Sequence, residues 1–483
     1  MLSTLVQKEL RAMLLSPKFV ATFAVCSILM LLSVFTGVQE YGAAVRQYET
    51  STQLSEQQMR QETTWARMTT TVLRQPDPMQ IFVGGLTYDI GRWSGISTRN
   101  SIKLSGSTYS DDPIFAVFRH IDFAFIVQFI LTLFAILFTY DAVNGERESG
   151  TLKLVFANAI PRARYLLAKC IGSWLGLVIP ICIPIILCML LVGVMGVSLS
   201  AVHWGRLVTF LGISLLLFTF FIVLGVFISS LTRRSSVSFL AALVVWIGFV
   251  LIIPRTAVMA ADQIVRVPRV AEIEGQRDGY AKDRWATFME ESQERWGSRC
   301  SLEELDESER DTELWNRMQE EDSLRRIVEK EIESYETRLQ EDLRRRKAAQ
   351  QHLAFILARF SPASAYQLAA MFLAGTDISL KARYVDAMTA YRTQFNDYVE
   401  KKQAETGSTG GVMITMSSES GISITTGRDD VGIDVSEVPR FSPPEYTYVA
   451  AVAPIIPDFG ILALATMVAF MGAFIAFLRY DVR

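Results

Sequence analysis

Charge is scarce in this chain: Asp, Glu, Lys and Arg make up only 20% of its 483 residues, against about 25% in an ordinary soluble domain. Neither sign dominates, since 47 Lys and Arg face 50 Asp and Glu for a net charge of −3. That balance argues against a surface built to coat nucleic acid, so no nucleic-acid partner is expected. Cysteine is as sparse. Cys26, Cys170, Cys182 and Cys188 lie in or beside apolar runs, where a thiol acts as a small hydrophobe, and only Cys300 lies among polar residues. No disulfide framework and no C-x-x-C pair can be drawn. His120, His203 and His352 stand without ligand spacing, so no metal or cofactor site is expected.

Catalytic signatures are missing as well. The stretch Gly421-Ile-Ser-Ile-Thr-Thr-Gly427-Arg428 mimics a P-loop, but it has one residue too many between the glycines and Arg in place of the phosphate-binding Lys. Leu104-Ser-Gly-Ser107 matches a fragment of an ATPase signature on a segment expected outside the membrane, where ATP is scarce. No G-x-S-x-G elbow or H-E-x-x-H occurs, and acidic pairs such as Glu303 and Glu304 sit in a charged helical pattern. Enzyme activity in this chain is not expected.

Long apolar runs are what the chain does have, and its mean hydropathy is +0.27. A bilayer core about 30 Å thick takes about 20 apolar residues at 1.5 Å rise each, and six segments qualify: 19–38, 121–140, 171–197, 207–229, 237–253 and 459–478. The third contains Pro180 and Pro184, read as a packing kink with a gating hinge as the alternative, and a Gly172-x-x-x-Gly176 close-packing pair. Ahead of the first span, Leu2, Leu5, Val6, Leu10, Met13 and Leu14 share one helical face opposite Lys8, Glu9 and Arg11. This predicts an interfacial helix over 1–18, turned into the bilayer by Pro17 and left uncleaved.

Orientation follows from the cations near the span ends. Lys8, Arg11 and Lys18, then Arg147, Lys153, Arg162, Arg164 and Lys169, then Arg233 and Arg234, then Arg479 and Arg483 all fall on one side. With that side cytoplasmic, 141–170 is a cytoplasmic loop, 479–483 a cytoplasmic tail, and 39–120 and 254–458 lie outside. The fold class expected is an all-α polytopic membrane protein with six transmembrane helices and a large, mainly helical extracytoplasmic domain.

Within 254–458, Leu324, Ile327, Val328, Ile332, Tyr335, Leu339 and Leu343 recur at threes and fours among charged residues. That narrow stripe predicts a long helix with an antiparallel partner over 262–296, which offers Val265, Val270, Ile273, Trp285, Phe288 and Met289 and turns at 297–301. The charged face is read as solvated. A further helix is expected over 380–402, a hairpin or a flexible loop over 407–427, and an extended tract over 438–448. Residues 74–86 predict a turn leading into an apolar patch.

The most informative segment is 140–169. It joins two spans through Gly145 and Gly150 set around Glu146 and Glu148, a short apolar helix over 151–156, and Pro161-Arg162. On physics alone it is either an ordinary loop or a short helix that transmits a push from a cytoplasmic partner. Together with Lys8-Glu9-Leu10, Leu15-Ser16-Pro17, Tyr140-Asp141, Glu148-Ser149-Gly150-Thr151-Leu152 and Lys169, it resembles the type-2 ABC transporter permeases, nearest their multicopper-enzyme-maturation branch. The likeness extends to Pro76, Pro78, Ile81-Phe82 and Gly85-Leu86, to Ser361-Pro362-Ala363-Ser364 and Ala374-Gly375-Thr376, and to residues 479–483.

The resemblance implies a permease subunit in a bacterial cytoplasmic (inner) membrane, with both termini cytoplasmic. A separate ABC ATPase subunit would bind ATP and Mg, and a second permease protomer, identical or a sister, would complete the path. Export of a substrate is expected; the alternatives are mechanical coupling to an extracytoplasmic partner and a membrane-anchored sensor or scaffold. The coupling interface would comprise Gly145, Glu146, Glu148, Gly150, Thr151, Leu152, Val155, Phe156, Pro161 and Arg162, with Leu152 and Val155 or Phe156 as apolar anchors in an ATPase groove and the two glutamates orienting the loop.

Overall fold

The computed structural model describes residues 2–61, 68–96, 102, 104–107, 121–157, 160–298, 307–406, 412–417, 421–426 and 437–479. His120, Cys300, residues 299–301 of the expected turn, Gly427, Arg428 and the 480–483 tail lie outside the described residues. The chain is predominantly helical and forms two compact units, 1–251 with 361–483 and 252–360. Among the described residues, six helices are long and apolar enough to cross a membrane: Pro17–Gln61, Phe123–Glu148, Arg162–Val194, Ala201–Leu231, Ser235–Ile264 and Tyr448–Leu478.

In the first unit, α1 (Leu2–Leu14) precedes α2 (Pro17–Gln61), which continues well past its apolar run. β1 (Thr70–Leu73) and β2 (Trp93–Ile96) pair antiparallel, and β1 packs on α2. Between the strands, Asp77 caps a 3-10 turn over Pro78–Ile81 by accepting from the Met79 amide at 2.8 Å. Met79, Ile81 and Phe82 behind it are fully buried, which is the expected apolar patch. α3 starts at Phe123–Phe125, passes through a π-turn at Ile126–Leu131 and ends as Thr132–Thr139. After the short α4 (Asn144–Glu148) and α5 (Thr151–Ala157) come α6 (Arg162–Val194), continuous through Pro180 and Pro184, then α7 (Ala201–Leu231) and α8 (Ser235–Ile247).

α7 is the axis of this unit. It is apolar on all sides, and Phe210, Leu217, Phe221 and Ile222 lose all exposure, as befits a helix enclosed by others. Around it stand α3, α6, α8, α12 (Pro362–Ala374) and α15 (Ile456–Leu478). His203 and Trp204, which lie between the third and fourth apolar runs, stand in the first turn of α7. Ser200 Oγ accepts from the His203 amide at 3.4 Å while His203 Nδ1 accepts from the Ser200 amide at 3.1 Å, a reciprocal cap that starts the helix early.

The 254–458 segment is not one body, because α12 and α13 (Ser379–Thr406) belong to the first unit. Ala363, Ala365, Ala369 and Ala370 are fully buried and let α12 approach α7 closely. Its C-terminal carbonyls need partners. Tyr446 hydroxyl donates to Phe372 O at 2.6 Å, Arg206 Nε to Leu373 O at 2.7 Å and Arg383 Nη2 to Gly375 O at 2.8 Å. Gly375 closes the helix at φ +70°, where a Cβ would also press on the Tyr446 ring. Helix α13 buries Tyr384, Tyr391 and Phe395. Strands β3 (Val412–Ser417) and β4 (Gly421–Thr426) pair antiparallel, while 407–411, 418–420 and 427 lie outside the described residues, and the tract before α14 (Tyr448–Val452) has no regular structure.

The second unit consists of α9 (Ile253–Ile264), α10 (Val270–Ser298) and α11 (Glu307–Ala358), with α11 packed on both others. The single partner helix expected over 262–296 is two helices, because Pro268 cannot continue one. Ile273 and Phe288 of α10 and Val328 and Leu343 of α11 are buried, Tyr280 stacks on Tyr335 with centroids 4.1 Å apart, and Arg284 meets Glu331 at 2.6 Å. Ile327 and Met289, expected in this contact, are 50% and 61% exposed. The stripe is only wide enough to cover one of two adjacent residues, and Val328 takes the place. Val328→Asp should therefore bury an unpaired carboxylate and destabilise the unit by about 3 kcal/mol, whereas Ile327→Asp should leave protease resistance unchanged; limited proteolysis of both purified variants distinguishes them.

Candidate functional site

The end of the bundle that carries α1 and the 141–169 segment holds a buried charge cluster. α6 begins at Pro161, whose φ of −61° and lack of an N–H suit a helix start. Two turns in, Tyr165 and Lys169 project on one face of α6, four residues apart. Lys169, with a side chain only 5% exposed, lies 2.8 Å from Glu9 Oε1 of α1 and 3.0 Å from Glu146 Oε1 of α4. Glu146 Oε1 also receives Lys8 at 2.7 Å, and its Oε2 accepts from the Tyr165 hydroxyl at 2.6 Å. Glu146 thus joins α1, α4 and α6 through one carboxylate.

Geometry on α6 allows that meeting. One turn past Lys169, Gly172 and Gly176 leave a groove in which α1 lies: a Cβ at Gly172 would stand 2.6 Å from Glu9 Cβ, and one at Gly176 2.8 Å from Met13 Sδ. The G-x-x-x-G pair is a seat for α1, and α1 packs on α6 along its length. Lys169 and Glu9 meet because the seat brings their helices close enough.

The loop itself is tied to the next helices. Val143 N donates to Ser229 Oγ at 3.0 Å, and Asn144, fully buried, donates from Nδ2 to Thr232 Oγ1 at 3.0 Å. Glu148 accepts from the Ser235 amide at 2.9 Å and from its hydroxyl at 2.6 Å, so it caps the start of α8 with a negative charge at a helix N-terminus. Ser238 Oγ donates to Tyr140 O at 2.6 Å. Gly150, at φ +75°, makes the reversal from α4 to α5 that a side chain would strain, and Thr151 Oγ1 donates back to Glu146 O at 3.2 Å. Gly145 sits where a Cβ would be 3.4 Å from Asp141 Cβ, an ordinary contact.

The expected coupling residues differ in burial. Leu152 is 1% exposed and packs among Val143, Tyr165, Leu166, Val226, Ala473 and Phe477, so it anchors α5 to its own bundle. Val155 and Phe156 pack against the same cluster, with Phe156 5.4 Å from the Tyr165 ring and 6.1 Å from Phe477. Glu146 is largely buried among Lys8, Tyr165 and Lys169, whereas Glu148, bonded to Ser235, stays exposed. The outward face of α5 is Lys153 and Leu154, the latter 69% exposed. Arg162 Nη1 donates to Leu478 O, tying α6 to the end of α15.

Lys8, Glu9 and Lys169 are visible in sequence as motif residues and orienting cations. Their union with Glu146 is not, because 138 positions separate Lys8 from it. Tyr165 carried no signal at all beyond its spacing from Lys169. Removing the ammonium leaves two carboxylates facing each other in a largely dry site, so Lys169→Ala should lower stability by about 3 kcal/mol. Adding Glu146→Gln should return part of that loss, and a double-mutant cycle of detergent-solubilised unfolding measures the coupling.

A family model described as ABC-2 family transporter protein matches residues 3–482. Two similar proteins, each named a probable ABC transporter permease protein NosY, are 32% identical over 128 residues in Pseudomonas aeruginosa and 33% identical over 133 residues in Stutzerimonas stutzeri. These matches cover 26% and 27% of this chain and 46% and 47% of the relatives, so the chain spans about half the length of the curated relatives it matches. The family match runs through every element described above, from α1 to the end of α15. The chain belongs to the ABC-2 family of transporter proteins.

Proposed function

We propose that this chain is the membrane-spanning permease subunit of an ABC exporter, in which a separate ATPase subunit docks on α5 and its hydrolysis of ATP moves a substrate across the membrane. Family membership implies the ATPase partner, and that partner would hold ATP and Mg. The observation that carries the coupling is the three-partner contact at Glu146, which links α1, α4 and α6. A push on α5 passes through Leu152 and Phe156 to Tyr165 and Phe477, hence to α6 and α15 together. Glu148 and Asn144 carry it to α7 and α8.

The cationic end holding Lys8, Lys18, Arg147, Lys153, Arg164, Arg233, Arg234 and Arg479 faces the cytoplasm of a bacterial inner membrane in this reading, so both termini lie there. Six spans enclose little volume, and two protomers, identical or sister, form the path. A second reading is mechanical transmission to a partner outside the membrane; the polar helices α10 and α11, which lack any membrane-length apolar run, favour it.

Docking through the outward face of α5 has a specific consequence. Leu154→Asp should reduce ATPase retention on the purified permease by about tenfold or more with an unchanged unfolding midpoint. Leu152→Ala should instead leave a cavity and destabilise the protein by about 2–4 kcal/mol. Co-purification with the ATPase and melting of each variant test this; full ATPase retention by Leu154→Asp would overturn the docking surface.

A further inference from the structure

Past the middle of α2, a cavity of about 270 Å³ opens between that helix and the β1–β2 layer. Ala43 and Ala44 line it from α2, and Leu73 and Pro76 from the strand side. Two guanidinium groups, Arg74 and Arg92, line it together. Arg92 is engaged, donating from Nη1 to Gln47 Oε1 and from Nε to Gly106 O, both at 3.0 Å. Glu40 also borders the cavity and accepts from the Tyr88 hydroxyl.

Arg74 is held differently. Its Nη2 donates to Thr87 O at 2.8 Å, and among the described residues no carboxylate lies within ion-pair distance of it. Asp77, three residues on, is taken by Arg206 at 3.0 Å. Burial draws the Arg74 guanidinium pKa down, with Tyr384 and Tyr88 opposing that pull and Arg92 adding to it. A cation partly withdrawn from water with no counter-ion is costly to keep, and a guanidinium fork matches a carboxylate or phosphate. Ala43 stands five residues beyond Val38, the end of the apolar run, which at 1.5 Å per residue is about 8 Å further along the helix. Glu40, two residues past Val38, borders the same cavity at about 3 Å, so the cavity begins within the lipid headgroups, a layer about 5–7 Å thick on each side of the hydrocarbon core, and reaches to its outer edge.

We propose that this cavity binds the anionic head, carboxylate or phosphate, of a small amphiphile, with Arg74 as counter-ion and Ala43, Ala44, Leu73 and Pro76 against its apolar stem. The site is independent of the coupling reading, since no residue of the 141–169 segment borders it. Octanoate and its neutral isostere octanamide, titrated into the detergent-purified protein, separate charge recognition from apolar burial. Octanoate should bind at one site about tenfold or more tightly than octanamide, and Arg74→Gln should remove that preference. Ala44→Trp, which fills the cavity and leaves both guanidinium groups in place, should abolish octanoate binding with an unchanged unfolding midpoint. Native mass spectrometry of protein from phosphatidylglycerol nanodiscs distinguishes the sources. A lipid retained by the wild type and lost in Ala44→Trp identifies the bilayer, and octanoate binding without retained lipid identifies a soluble ligand. Equal binding of octanoate and octanamide by the wild type, or wild-type octanoate and lipid binding by Ala44→Trp, overturns the proposal.

Discussion

The architecture of the α1 end depends on one ammonium group. Lys169 is withdrawn from water and lies between two carboxylates from different helices, and neither carboxylate would be stable so close to the other without it. Desolvating three charges is offset only where the geometry is good and the remaining oxygens are engaged. Lys8 and the Tyr165 hydroxyl complete Glu146. The cluster therefore forms only when α1 occupies the Gly172–Gly176 groove and α4 follows α3 by its turn. Charge here selects one arrangement of three helices that apolar packing alone would leave free to slide.

The opposite end is held by the same chemistry with the signs reversed. There the carbonyls of a helix C-terminus are the groups in need, and Arg206, Arg383 and the Tyr446 hydroxyl meet them. Both guanidinium groups also lie over the Tyr446 ring, at 5.0 and 4.4 Å from its centroid, where the ring face favours a cation. Between these ends α7 is sheathed in apolar side chains. The axis is thus fixed by polar contacts at each end.

The spans were legible because a bilayer-length apolar run is unambiguous, and the long polar helices because a 3.6-residue stripe is too. The 140–169 segment was legible as a site through its glycines and acidic residues. What sequence could not tell was direction. Leu152 and Leu154 are two residues apart in an apolar stretch, and only the tertiary contacts of Tyr165 and Phe477 decide that the first turns inward. Likewise Glu148 reads as a surface charge until Ser235, 87 positions away, is placed against it. Arg74 gave no signal, since an arginine in a turn is ordinary until it proves to have no carboxylate within ion-pair distance among the described residues.

The central claim is that α1, α5 and the start of α6 move as one body when the ATPase partner cycles. Spin labels at Ser3 and Lys153, both exposed positions on α1 and α5, report this directly in the permease–ATPase complex by double electron–electron resonance. The account predicts the same distance distribution without nucleotide and with ATP trapped, while a second pair at Lys153 and Ala390 of α13 shifts between the two states. A change in the Ser3–Lys153 distance on trapping ATP would contradict it.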